Sequence, residues 1–121
     1  MIRGIRGATT ITENNAQLVS EATTELLQEI IKRNDFDVEE VASVIVTTTP
    51  DITSAFPAKA VRTYKGWDLV PVMCMHEMNV EGALPLCIRL LVHVETTKSQ
   101  QEIAHIYLKE AVKLRPDLVN K

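Results

Sequence analysis

Apolar side chains recur every three or four positions between Leu18 and Ile31. Leu18, Ala22, Leu26 and Ile30 fall on one stripe, with Val19, Leu27 and Ile31 beside it, which is the period of an amphipathic helix. The pattern predicts one long helix, capped by Asn14 with Gln17 three residues on and ending near Arg33–Asn34. Elsewhere the apolar positions gather in shorter runs. Met1 to Ile11, Val44 to Thr49, Leu69 to Met75, Leu84 to Val94 and His105 to Leu108 each read as a strand. Pro71 lies inside the third of these, and a strand proline belongs at a sheet edge or a bulge.

Shorter signals fill the gaps. Asp37 with Glu40, and Ser99 with Glu102, have the spacing of capping pairs for short helical turns. Phe56 to Arg62 reads as a helix with Pro57 in its first turn, where a missing N–H costs little, and Gly66 closes it. His76 to Pro85 is a loop, and Lys109 to Leu114 leads to a stop at Arg115–Pro116. No repeat or low-complexity linker divides the chain, so positions 1–121 read as a single domain. The fold class expected is mixed α/β or α+β: a five-stranded sheet, one long helix packed on it, and short helical turns.

Composition narrows the function classes. A chain of 121 residues buries enough surface on folding to need neither disulfide nor metal. Aromatic residues are only 4%, so the core must be aliphatic. The net charge is −3, without the basic stripe that phosphate neutralisation demands of a nucleic-acid binder. No apolar run approaches the ~20 residues needed to span a bilayer, and Arg3 and Arg6 interrupt the apolar stretch a secretory leader would need. Cys74 and Cys87 have no CxxC spacing and read as reduced thiols in a cytoplasmic protein.

Most familiar catalytic motifs are broken or absent. His76–Glu77 opens like a zinc-protease helix, but Val80 stands where the second histidine ligand belongs. Gly4–Ile5–Arg6–Gly7 is a lone GxxG, and no phosphate-binding lysine loop or serine elbow is present. Such a chain must act by placing charge and shape around a ligand, with no cofactor expected. Arg89 is the most informative candidate. Alternation puts Cys87, Arg89, Leu91 and His93 on one strand face and Ile88, Leu90, Val92 and Val94 on the other. A guanidinium among apolar neighbours must find an anion or water, so Arg89 either makes a structural ion pair or meets a ligand. Arg6 shares its face with Gly4 and Ala8 and poses the same choice. Cys74, Glu77 and Tyr107 lie near strand ends, where ligand sites often form. Each also has a plain structural role open to it.

Four ordered blocks carry a resemblance: MIRGIRGATT at 1–10, TPDITSAFPAKAVR at 49–62, GWDLVPVMCMHEMNVEGALPLCIR at 66–89 and IAHIYLKEAVKLRPDL at 103–118. Together they resemble the small monofunctional chorismate mutases of bacilli and their relatives. The resemblance implies an isomerase that rearranges chorismate to prephenate for phenylalanine and tyrosine synthesis, without cofactor or metal. It implies a pseudo-α/β-barrel homotrimer with active sites between subunits. Arg6 and Tyr107 would then bind substrate carboxylate, and Arg89 would reach the ether oxygen of the breaking bond and a carboxylate. Glu77 and Cys74 would contact the ring-hydroxyl side, inside a site block that also contains Met73, Met75 and His76. Phe56, Ala58, Lys59 and Arg62 would come from a neighbouring subunit, and Leu114 and Arg115 from the tail. A small trimeric imine deaminase, or a dicarboxylate-binding trimer that converts nothing, shares enough of this outline to stand beside it. The paired RGIRGATT and FPAKAVR segments favour the mutase.

Overall fold

The helical stripe is realised as α1 (Ala16–Asn34) in a computed structural model that describes residues 1–119. Val19, Leu26, Leu27 and Ile30 on α1 are fully buried, and each such side chain contributes about 1.5–3 kcal/mol relative to exposure. The cap is Asn15 rather than Asn14: its side chain accepts the N–H groups of Gln17 and Leu18. Asn14 is used differently. Its side chain accepts the N–H groups of Thr53 and Ser54 and donates to the Thr53 hydroxyl, tying the helix start to the loop after the second strand. The two neighbouring asparagines look alike in sequence, and only tertiary contacts decide which one caps.

Among the described residues five strands form one mixed sheet: β1 (Ile2–Thr10), β2 (Val41–Thr48), β3 (Val72–His76), β4 (Cys87–Glu95) and β5 (Ile106–Tyr107), in the order β3-β2-β4-β1-β5. β4 is central and antiparallel to both neighbours, while β3 and β5 add parallel at the edges. Pro71 falls just before β3 and shortens it, leaving Leu69 in a turn and 90% exposed. The expected start of β4 at Leu84 moves to Cys87, because Leu86 adopts a left-handed φ of 51° that no strand continues. β5 is only Ile106–Tyr107, since His105 uses its side chain instead: its Nδ1 accepts the Arg6 N–H at 2.9 Å. Both capping pairs are present, with the Glu40 carboxylate on the Asp37 N–H and that of Glu102 on the Ser99 N–H. Pro116 opens a short helix, α3 (Pro116–Val119), instead of ending the chain's regular structure.

The two faces of the sheet differ. One packs Ile5, Val44, Val46, Ile88, Leu90, Val92 and Val94 against α1 and against α2 (Pro57–Arg62). The other carries Arg6, Ile45, Thr47, Arg89, Leu91 and His93, none of them fully buried. Only a small second cluster sits there, in which Ala8 and Cys87 lie under Tyr107, Ala111 and Leu114. Asn34, at the end of α1, fixes the approach to β5 by bonding both backbone groups of Ala104 at 2.8 Å.

Gly7 lies where α1 crosses β1 most closely. A Cβ there would sit 2.6 Å from Ile30 Cδ1 and 3.0 Å from Leu26 Cδ1. Gly7→Val is expected to lower unfolding free energy by about 1–3 kcal/mol, and Gly7→Ala by less, as overpacking does. Urea denaturation checks this, and an unchanged midpoint for the valine variant would contradict so close an approach.

Candidate active site

The sheet register sets five residues in one row across the open face. Met75, Thr47, Arg89, Ala8 and Tyr107 are successive partners on β3, β2, β4, β1 and β5. The next row holds Met73, Ile45, Leu91 and Arg6. Arg89 therefore stands near the start of the central strand, beside the smallest side chain of its row. Its Nε is 3.0 Å from Glu77 Oε2, yet among the described residues that buried N–H finds no acceptor in line. The contact is an ion pair by distance, with donor capacity to spare. Glu77 is held in turn by the Thr47 hydroxyl, which donates to the same oxygen at 2.6 Å.

A cavity of about 340 Å³ opens over this row. Arg6, Arg89, Tyr107, Leu114 and Arg115 all line it, on a floor that includes Ala8, Ile45 and Thr47. Arg6 also lines an adjoining hollow with Arg3, Gln100 and His105, so it stands between the two. Arg115 is presented in a fork by Asp117, with Nε and Nη2 at 3.1 and 3.0 Å from the two carboxylate oxygens. That hydrogen bonding holds the Asp117 carboxyl below its ordinary range and raises Arg115 further. Three guanidinium groups thus border one cavity in a chain of net charge −3. Such a cavity suits a small ligand with more than one carboxylate. Among the described residues, no three His, Cys, Asp or Glu side chains gather as metal ligands.

The remaining candidates lie elsewhere. Cys74 and His76 pair with Val46 and Thr48 and so face the helical side, where with Phe56 and Met75 they border a second hollow. His76 Nε2 is 3.0 Å from the Ile52 carbonyl oxygen. Phe56 is 76% exposed. Lys59 and Arg62 follow it at three-residue intervals on the exposed side of α2, while Ala58 turns its methyl into the core. Met73 is exposed on β3. Within one chain, then, the candidates fall into two groups on opposite faces of the sheet.

The family model "Chorismate mutase type I" matches residues 2–118. The chain belongs to the type I chorismate mutases. Among curated relatives, the chorismate mutase AroH of Bacillus subtilis (strain 168) is 48% identical over 118 residues, which are 98% of this chain and 93% of that protein. The AroH of Thermus thermophilus is 46% identical over 119 residues, with 98% and 97% covered. A solved chorismate mutase from Clostridium thermocellum superposes with a TM-score of 0.86 at 41% identity, covering 90% of this chain and 96% of the other. The mixed α+β architecture is thus that of a chorismate mutase.

In this chorismate mutase family member the sequence alone does not single out Thr47 and Ile45. Thr47 sits in a run of three threonines, and nothing in the run distinguishes the one that meets Glu77. Alternation could have found it, since the strand face that carries Ile45 also carries Thr47. Cys87 shares the Arg89 face of β4, packed with Ala8 and Ala111, and is fully buried. Burial pushes its thiol up from 9.0 to about 11; Arg89 opposes the rise, while Glu77 and Asp51 add to it.

In the native protein a thiol reagent at pH 8 should therefore label Cys74 readily and Cys87 only on unfolding. A folded pKa above the unfolded one means the native state keeps its proton longer, so Cys87 favours folding below pH 9 and loses that contribution as pH rises towards 11. Thermal melts of wild type and Cys87→Ser across that window should diverge at low pH and converge at high pH. A constant gap would show that Cys87 does not titrate there.

Proposed function

We propose that this chain isomerises chorismate to prephenate in the cavity over β4, with Arg89 as its main electrostatic catalyst. What carries the reading is that Arg6 and Arg89 line one cavity with Tyr107 and Arg115 in a type I chorismate mutase. Chorismate has two carboxylates and rearranges by a concerted [3,3] shift, which needs no nucleophile, proton transfer, redox partner or metal. Arg6, Tyr107 and Arg115 hold carboxylates. Glu77 serves the ring-hydroxyl side, joined there by the Cys74 of a neighbouring subunit, because Cys74 faces the helical side of its own sheet. As the C–O bond breaks ahead of C–C formation, negative charge grows on the ether oxygen. A fixed Arg89 guanidinium stabilises that charge more than it stabilises the ground state.

The magnitudes are compatible. An acceleration of about 10⁶ requires roughly 8 kcal/mol. One donor aimed at developing charge supplies about 2.7–4 kcal/mol, and holding the enolpyruvyl chain in its reactive shape supplies much of the rest. The reaction feeds phenylalanine and tyrosine synthesis, and a cytoplasmic setting suits the two unpaired thiols. No helix among the described residues is long and apolar enough to cross a membrane.

A homotrimer accounts for the split between the two sheet faces. Phe56, Lys59 and Arg62 face outward, away from the Arg89 cavity of their own chain, and a neighbouring subunit brings them to it. Met73 and Met75, 67% and 42% exposed on β3, are apolar surface that such a contact covers.

Arg89→Ala should lower turnover at least ~10²-fold, the loss expected for an oxyanion-type donor, with the circular dichroism spectrum unchanged. Arg89→Lys should be poor too, because an ammonium lacks the planar fork. Loss of chorismate absorbance reads both, and near-wild-type turnover for the alanine variant would remove Arg89 from this role. Complementation tests the sharing of sites. Arg89→Ala and Arg62→Ala chains, each of low activity alone, should regain activity when unfolded and refolded together, because mixed trimers contain some intact sites. A mixture no more active than the sum of its parts would place each site within one chain.

A further inference from the structure

Among the described residues, three other than glycine have left-handed backbone: Asp35, Leu86 and Lys109. Asp35 ends α1, where that conformation is routine. Leu86 is different, because it is a half-buried leucine packed on the core immediately before β4. A leucine keeps such a conformation only where its surroundings impose it. Its N–H donates to Asp51 Oδ2 at 2.9 Å, and its carbonyl accepts the Ile11 N–H at 3.0 Å. The other Asp51 oxygen accepts the Thr49 hydroxyl at 2.5 Å. That hydroxyl oxygen accepts the Cys87 N–H at 3.0 Å, and the Thr49 N–H donates to the Cys87 carbonyl, also at 3.0 Å. One carboxylate and one hydroxyl, both beyond the end of β2, therefore fix the last loop residue and the first residue of β4.

We infer that Asp51 and Thr49 are a positioning pair for Arg89: by holding Leu86 left-handed they start β4 in the register that sets Arg89 over the cavity, facing Glu77. The inference rests on the reading of Arg89 as the main electrostatic catalyst. Arg89 is two residues past the clamped peptide, and Glu77 is at the far end of the same loop. A one-residue slip would turn every β4 side chain to the opposite face, and a smaller rotation would move the guanidinium off its target. Neither Asp51 nor Thr49 lines the Arg89 cavity, so they act through the strand and not on the substrate.

The test is a double-mutant cycle in the full-length protein. Asp51→Asn keeps the shape but removes the charge and replaces one acceptor of the clamp by an amide NH2, and Thr49→Val removes the hydroxyl at similar volume. Each should lower turnover about tenfold, part of the ~10²-fold that a 1 Å misplacement can cost, while KM changes little. Thr49→Ser, which keeps the hydroxyl, should recover most of the loss. Introduced into Arg89→Ala, Asp51→Asn should lower the residual rate no further, because residues acting through one group are not additive. Melting curves confirm that each variant is folded at the assay temperature, and Thr49→Val carries the test alone if Asp51→Asn is not. Wild-type turnover in both variants, with Arg89→Ala inactive, would overturn the pair. Equal losses with and without Arg89 would overturn it too, by showing general support of the fold. An active Arg89→Ala would instead overturn the assignment of Arg89 itself, a result that cannot be confused with the other two.

Discussion

Arg89 carries a permanent charge on the central strand of a sheet whose other face is sealed by α1 and α2. Such a charge must be met by an anion, by water, or by both. The chain meets it halfway. Glu77 neutralises it from one side at 3.0 Å, while the buried Nε finds no aligned acceptor among the described residues. Small residues surround it where bulk would have covered it, with Ala8 on one side and Thr47 on the other. A purely structural ion pair would be better served by more partners and a tighter enclosure. What exists is a charge only partly met within the described residues, which is the feature the proposed mechanism uses.

Much of this was legible in the sequence. The alternation along Leu84 to Val94 separated Arg89 from Val92 correctly, because a two-residue period is enforced by strand geometry alone. The long helix followed from its stripe for a similar reason. Signals that depend on distant partners were not legible. Asn15 displaced Asn14 as the cap because Asn14 was needed by Thr53 and Ser54. β4 began late because Leu86 answers to Asp51 and Ile11, which are far away in the chain.

The site shows the same division. Arg6, Arg89 and Tyr107 line one cavity. Cys74 could not be placed without knowing the β2–β3 register, which turns its side chain towards the helices while Glu77, three residues on, reaches the open face. Thr47 stands among identical neighbours, and only strand alternation sets it apart. Family resemblance transmits residue identities well, but the direction in which a side chain points belongs to the register.

Arg6 and Gly7 are adjacent on β1 and point to opposite sides of the sheet, one towards the cavity and one into contact with Ile30 and Leu26. The height of the strand beneath the guanidinium is therefore set by how deeply two aliphatic side chains of α1 can settle into the gap that the missing methyl leaves. Protein interiors pass such displacements on rather than absorbing them. The position of the Arg6 guanidinium is thus set from behind, by the thickness of a hydrocarbon layer on the far side of the sheet.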